Sequence, residues 1–257
     1  MLPEILTFAI GDIHGCGVAL KRMLAACEAY AKGAAHRLIF LGDYIDRGPD
    51  SAGVIAMVRE RAEADPENVI CLIGNHEDLL LEALETGDDS SWLCNGGDAT
   101  LRSYGARAPE EIPQADLAFI RNLKFCHDDG QRFYVHAGIM PGVPLNRQER
   151  HTLMWIREPF LSSRRDHGSL IVHGHTPQRS GEPEILSNRI NIDTACVYGG
   201  VLTAAVFSGA VREPIDFISV SQDWAYFQLR YGSPKYERPR NGQETRALAE
   251  SASAMCP

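Results

Sequence analysis

Clustered positive charge is the first thing this 257-residue sequence lacks: 25 lysines and arginines stand against 34 aspartates and glutamates, a formal net charge of -9. Holding nucleic acid by neutralising many phosphates needs clustered lysine and arginine. No nucleic-acid partner is therefore expected, and an acidic site that recruits metal cations fits better. No apolar run approaches the roughly 20 residues that cross a bilayer. Stretches such as Leu170 to Val172 are far too short, so no membrane partner is expected. There is no Cys-x-x-Cys pair. The seven cysteines, Cys16, Cys27, Cys71, Cys94, Cys126, Cys196 and Cys256, are scattered and odd in number, which speaks against a disulfide framework or a zinc knuckle and for a reducing cytoplasm. The N-terminal stretch carries Glu4 and reaches a chemical motif at Gly11. With no basic leader, long apolar core or small-residue cleavage site, it is not expected to direct secretion. Internal repeats and low-complexity blocks are also missing.

With 44% hydrophobic residues the chain can bury a substantial core. One catalytic domain over residues 1–230 is expected, followed by a polar, mobile tail over 231–257 in which Thr245 to Ala254 could form a marginal helix. Nothing in the composition fixes an oligomeric state. Short apolar runs rich in β-formers recur at Ile5 to Ile10, Leu38 to Leu41, Val69 to Ile73, Phe133 to Val135, Leu170 to Val172 and Ile190 to Ile192, and read as buried strands. Between the first three lie Gly17 to Lys32 and Ser51 to Ala64, whose leucine, methionine, valine and alanine residues recur at helical spacing. That alternation is βαβαβ, an α/β fold built on a parallel sheet. A further helix is expected from His76 to Thr86, and Trp92 to Pro113 reads as an insertion bordering the site. After Ile190 the strands come closer together, at Val201 to Phe207, Ile215 to Val220 and Trp224 to Leu229, which suggests a second, mixed or antiparallel sheet packed on the first.

Three strand ends share one pattern, an apolar run followed by glycine and a residue able to bind metal. They are Gly11-Asp12-Ile13-His14-Gly15, Gly42-Asp43-Tyr44-Ile45-Asp46-Arg47-Gly48 and Gly74-Asn75-His76-Glu77. The carboxyl ends of adjacent parallel strands converge on one edge, and glycine lets the backbone turn there. Asp12, His14, Asp43 and Asn75 are thus delivered to one place. Later strands end in His136-Ala137-Gly138 and His173-Gly174-His175-Thr176, adding imidazoles to the same edge. Oxygen and nitrogen donors in this mixture suit Mn²⁺, Fe or Zn²⁺. Each motif alone could be a turn or a helix cap; the ordered set of five is far more specific.

In that order the motifs resemble the calcineurin-like metallophosphoesterases, in particular the bacterial and phage serine/threonine protein phosphatases, over about Phe8 to Thr203. Trp92 with Asn95-Gly96-Gly97, Trp155-Ile156-Arg157, and Asp193-Thr194 followed by Gly199-Gly200 extend the similarity. The resemblance implies a metallophosphoesterase-type β-sandwich of two mixed sheets flanked by helices. It also implies two divalent ions, with Mn²⁺ expected and Fe or Zn²⁺ as alternatives. Asp12 and His14 would bind the first, Asn75, His136 and His175 the second, and Asp43 would bridge them, so that a hydroxide between the metals attacks phosphorus. By the same resemblance His76 would be the general acid, Asp46 the carboxylate that orients it, and Arg47 and Arg157 the phosphate clamps. The implied substrates are phosphoserine and phosphothreonine, with phosphotyrosine as a further candidate, in proteins or peptides, and small phosphate esters are expected to be accepted in vitro.

The main competitor is symmetrical hydrolysis of diadenosine tetraphosphate. That related family carries Gly-Asp-Leu-Val-Ala-Arg-Gly, Gly-Asn-His-Asp and Gly-His-Trp where this chain has Asp46, Glu77 and Thr176, and all three differences favour the protein phosphatases. Other residues take plainer readings. His173 is expected to pack behind the site, His127-Asp128-Asp129 to form a solvated turn, and Glu77, Glu82 and Glu85 to decorate a helix face. Trp92 and Trp155 could touch substrate or simply pack.

Overall fold

The computed structural model describes residues 5–178 and 180–223. The strand expected at Trp224 to Leu229, the helix at Thr245 to Ala254 and the tail lie outside the described residues. The first five elements are the expected βαβαβ: β1 (Leu6–Ile10), α1 (Gly17–Ala31), β2 (His36–Phe40), α2 (Ser51–Ala64) and β3 (Val69–Cys71). The strands are parallel, with Phe8 opposite Leu38 and Ile39 opposite Ile70. Both faces of this sheet are covered, which is why its strands read as continuous apolar runs. Phe8, Ile10 and Phe40 pack against Leu20, Met23 and Leu24 of α1, while Ala9, Ile39 and Ile70 face the second sheet. The Asp50 carboxylate accepts Gly53 N–H at 3.1 Å and so starts α2.

The chain continues through α3 (Asn75–Thr86), α4 (Ser90–Trp92), a π-turn over Leu93–Gly97, α5 (Asp98–Tyr104) and α6 (Gln114–Arg121). The stretch expected as an insertion is thus largely helical. β4 (Cys126–Asp128), β5 (Arg132–Val135), α7 (Arg150–Trp155), β6 (Leu170–His173), β7 (Glu184–Ile185) and β8 (Arg189–Asn191) follow, and then β9 (Val201–Phe207) and β10 (Asp216–Ser221). The two five-stranded sheets run β10-β9-β1-β2-β3 and β4-β5-β6-β8-β7. The sandwich of two mixed sheets is as expected, but the last strands belong elsewhere. β9 and β10 return to the first sheet, β9 antiparallel to β1 and β10 antiparallel to β9, and the second sheet is made of β4 to β8. β9 is buried along nearly its whole length, so it needs a place covered on both faces, and the edge of β1 offers one. Among the described residues no helix is long and apolar enough to cross a membrane.

His127 and Asp128 end a strand, and Asp129 begins the turn through left-handed Gly130. Partial burial pushes the Asp129 carboxyl up, but the Gln131 and Arg132 amides, the Arg132 guanidinium and the Tyr134 hydroxyl outweigh it and leave its pKa below the ordinary value. A carboxyl lowered in the folded state contributes stability above its unfolded pKa, and that stability is lost as pH falls through the folded value. Asp129→Asn should therefore lower the thermal midpoint at neutral pH, with a difference from wild type that shrinks from about pH 5 to about pH 3. A difference independent of pH would refute this.

Candidate active site

The predicted site residues meet at the carboxyl edges of both sheets. Asp12 and His14 follow β1, Asp43, Asp46 and Arg47 follow β2, Asn75 and His76 open α3 beyond β3, His136 follows β5 and His175 follows β6. Asp12, His14, Asp43, Asp46, Asn75, His76, His136 and His175 are all buried. The chain reaches this density by close backbone approach: a Cβ on Gly74 would overlap the Asp43 carboxylate, and one on Gly174 the Asp12 carboxylate. It also uses backbone that most side chains avoid. His14, Asp43, Asp46, Arg47 and His175 all have φ between 46° and 71°, a left-handed conformation that costs about 1–2 kcal/mol for a non-glycine residue. Such residues persist only where their surroundings hold them, and they cluster at functional sites.

The donor atoms converge on Asp43. Its Oδ2 lies 3.3 Å from His14 Nε2, and its Oδ1 lies 3.4 Å from His136 Nε2. Asn75 Oδ1 is 3.0 Å from His136 Nε2 and 2.7 Å from His175 Nδ1. Asp12 accepts the His175 amide at 3.0 Å through Oδ2. Ligand-capable atoms of His14, Asp43 and His76 lie within 4.8 Å of one another, as do those of Asp43, His136 and His175. His136 shows most clearly what these atoms require. Its Nδ1 is 2.9 Å from Leu41 O, and a carbonyl can only accept, so Nδ1 carries the proton and Nε2 presents a lone pair. That lone pair faces the oxygens of Asn75 and Asp43, an arrangement of acceptors that a cation would satisfy.

Electrostatics agree. Burial raises Asp12, with the Asp193 and Asp43 charges adding to it, and burial pushes Asp43 and Asp193 up to about 7. Burial, and then Arg47, hold His14 well below its usual range, and burial brings His136 down to about 4. The pocket thus holds neutral imidazoles and carboxyls that resist ionising unless positive charge is supplied, and these donors suit Mn²⁺, Fe or Zn²⁺.

The calcineurin-like phosphoesterase profile matches residues 6–209. The chain belongs to that family. It is a hydrolase of phosphate esters, and the family works with divalent metals. Serine/threonine-protein phosphatase 1 of Salmonella typhimurium is 32% identical over 211 residues, covering 77% of this chain and 90% of that protein. An asymmetrical bis(5'-nucleosyl)-tetraphosphatase of Oceanobacillus iheyensis is 30% identical over 238 residues, covering 80% and 92%. Among solved structures, one assigned provisionally as a diadenosine tetraphosphatase superposes with a TM-score of 0.65 at 24% identity, covering 85% of this chain and 94% of that one; this likeness concerns the fold alone.

Beside the donors, this phosphoesterase carries a second group of polar side chains. His76 Nδ1 lies 2.7 Å from Asp46 Oδ2, and His76 Nε2 is buried with no hydrogen-bond partner among the described residues. Burial, followed by Arg47 and His14, lowers the His76 pKa well below its usual range. Arg47 Nη1 donates to His14 Nε2 at 2.9 Å, and its guanidinium lies 5.7 Å from the Tyr198 ring centroid. Arg157 is exposed as a whole residue, but partial burial of its guanidinium lowers its pKa and the Arg47 charge lowers it further, so the two guanidiniums repel each other. Two cations that repel each other in this way would welcome an anion.

Three placements differ from the sequence reading or go beyond it. Glu77 does not decorate a helix face, as Glu82 and Glu85 do: it is fully buried, and its carboxylate accepts the amides of Asp43, Tyr44, Ile45 and Gly74 at 2.8–3.2 Å. Asp193 adds a buried carboxyl close enough to raise Asp12, and its signal was an aspartate directly after the apolar run Ile190 to Ile192. Trp92 is fully buried, so its ring packs inside the protein and does not face solvent. Trp155 is half-buried, its indole N–H donating to Asp78 at 2.9 Å. His173 packs behind the site, donating from Nδ1 to Gly174 O and accepting from Arg189.

Proposed function

We propose that this phosphoesterase is a phosphomonoesterase acting on phosphoserine and phosphothreonine in proteins, with phosphotyrosine a further substrate. The observation that carries the reading is the buried His76–Asp46 pair at 2.7 Å. A serine or threonine alkoxide is a poor leaving group and needs a proton as the P–O bond breaks. A nucleotide leaving from an anhydride departs as a phosphate, whose second pKa is near 6, and needs no such help. An imidazole held by a carboxylate is therefore the equipment of an ester hydrolase. The Gly-Asp-Leu-Val-Ala-Arg-Gly pattern of symmetrical dinucleotide hydrolases has no aspartate at the place of Asp46.

Asp12, His14 and Asp43 would hold one divalent cation, and Asp43, Asn75, His136 and His175 a second; Mn²⁺ is our assignment, with Fe or Zn²⁺ the alternatives. When bound, such a pair polarises phosphoryl oxygens and acidifies water so that hydroxide is available near neutral pH. Arg47 and Arg157 orient the phosphate, each guanidinium offering parallel N–H donors. An arriving phosphate dianion offsets Arg47, one of the charges that keep His76 unprotonated, and so favours the acid form when it is needed. We take residues 1–230 as one catalytic unit working in the cytoplasm. Arg47→Ala and Arg157→Ala should each lower kcat/KM by about 10²–10³-fold, the usual cost of losing one donor to transition-state charge, and unchanged kinetics would remove that residue from the site.

Hydrolysis of diadenosine tetraphosphate is the second reading, favoured by relatives that carry that name. The deciding experiment measures phosphate release by Mn²⁺-reconstituted enzyme from phosphoserine, phosphothreonine and phosphotyrosine peptides, alongside product analysis of the dinucleotide. Peptide turnover far above dinucleotide turnover supports the phosphatase. Efficient conversion to two ADP, or to AMP and ATP, moves the enzyme to the symmetrical or asymmetrical nucleotidase, and faster cleavage of bis(p-nitrophenyl) phosphate than of the monoester defeats the monoesterase reading.

A further inference from the structure

Neither the cation ligands nor the phosphate clamp accounts for the stretch from Trp92 to Thr100, yet it closes around Asp46. The Trp92 indole N–H lies 3.0 Å from each Asp46 oxygen. The Thr100 hydroxyl, fully buried, donates to Asp46 Oδ1 at 2.7 Å and accepts Asp46 N–H at 2.9 Å, with Ser51 Oγ 2.9 Å behind it. The seat is built for these contacts. A Cβ on Gly97 would overlap the indole ring, and left-handed Gly96 (φ 100°) lets its carbonyl accept Arg47 N–H at 3.1 Å.

An aspartate carboxylate turns about a broad, roughly two-fold torsion. With His76 as its sole partner, Asp46 could rotate and carry the imidazole with it. Two neutral donors at fixed places remove that freedom. We propose that Trp92 and Thr100 are positioning residues for the leaving-group acid: they fix Asp46 so that Oδ2 holds His76 Nδ1–H and His76 Nε2 points at the departing oxygen. The inference rests on the reading of His76 given above. Hydrolysis consumes one water and yields one alcohol and one phosphate. His76 gives the Nε2 proton to the ester oxygen as the P–O bond breaks, and solvent restores it.

The test uses the full chain, loaded with Mn²⁺, as Trp92→Phe, Thr100→Val and His76→Asn. Each is assayed on phenyl phosphate, whose leaving group needs a proton, and on 2,4-dinitrophenyl phosphate, whose leaving group does not. Positioned general acids supply about 10²–10⁴-fold; on that scale the Trp92 and Thr100 variants should lose about tenfold or more with phenyl phosphate and less than about twofold with the dinitrophenyl ester. His76→Asn should show the same selectivity more strongly. A similar loss on both esters, or no loss on either, in both Trp92→Phe and Thr100→Val would overturn the inference while a selective loss in His76→Asn left the acid reading standing. Equal losses in His76→Asn would overturn the acid reading and the inference with it. Thr100→Val, which exchanges a hydroxyl for a methyl, keeps the test decisive if Trp92→Phe folds poorly.

Discussion

Glu77→Gln should destabilise the protein by about 2–6 kcal/mol, since about 1–3 kcal/mol is lost for each buried polar group left unpaired and two amides lose their acceptor. The wild-type carboxylate takes Tyr44 and Ile45 N–H on Oε1 and Asp43 and Gly74 N–H on Oε2. A glutamine keeps one of these oxygens and puts an NH₂ group at the other, facing donors. For a chain of this size about 2–4 °C of melting temperature goes with each kcal/mol, so a fall on the order of 10 °C is expected in a thermal melt. The Asp43, Tyr44 and Ile45 amides belong to the turn that holds Asp43 and Asp46 at positive φ, so turnover should fall as well, through misplaced side chains. A melting temperature within about 1 °C of wild type, less than the shift for 1 kcal/mol, would show that the turn does not depend on this carboxylate.

Glu77 also marks where reading the sequence stopped. The strand ends were legible because each combines an apolar run, a glycine and a donor, and three parallel strands leave such ends at one edge. α2 has the expected bounds for a similar reason: its start carries its own signal in Asp50, and its apolar spacing is regular. Glu77, by contrast, sits in the first turn of a helix, where an acidic residue is ordinarily a favourable surface charge. Besides the Gly74 amide three residues before it, its partners are amides 32 to 34 residues earlier in the chain, and no local pattern announces those. Trp92 and Thr100 were obscure for the same reason, lying 46 and 54 residues from the Asp46 they hold. β4 and β7 are only three and two residues long, too short for a periodic signal, and α6 and α7 were likewise not foreseen. The pairing of β9 with β1 depended on which edge stood open, a property of the assembled sheet. What sequence conveyed was each segment's own chemistry; what it withheld was which distant segment would complete it.

Asp43→Asn should move activity and stability in opposite directions. Among the described residues Asp43 is the carboxylate shared by both donor groups, its Oδ2 toward His14 and its Oδ1 toward His136. Its Oδ1 also accepts the His76 amide at 3.1 Å, so an asparagine would keep its oxygen there and turn NH₂ toward His14 Nε2. The His14 side then loses both charge and lone pair, and turnover should fall by about 10³-fold or more, equivalent to at least about 4 kcal/mol of transition-state stabilisation. Without metal the substitution removes a buried acid that burial has pushed to about 7 and that raises Asp12 and Asp193 in turn. A carboxyl raised in the folded state contributes stability that is fully present below its unfolded pKa and is lost as pH rises through the folded value. Metal-free wild type should therefore lose stability between about pH 5 and about pH 8 relative to Asp43→Asn, in which that group no longer titrates. Thermal melts of both proteins at the two pH values, with and without Mn²⁺, separate the effects. The variant should match or exceed wild type in chelator, most clearly at the higher pH, and should show a smaller rise when Mn²⁺ is added. A variant that melts well below wild type in chelator at the higher pH would mean that Asp43 supports the fold itself. A full Mn²⁺-dependent rise would mean that its carboxylate is not shared between the two donor groups.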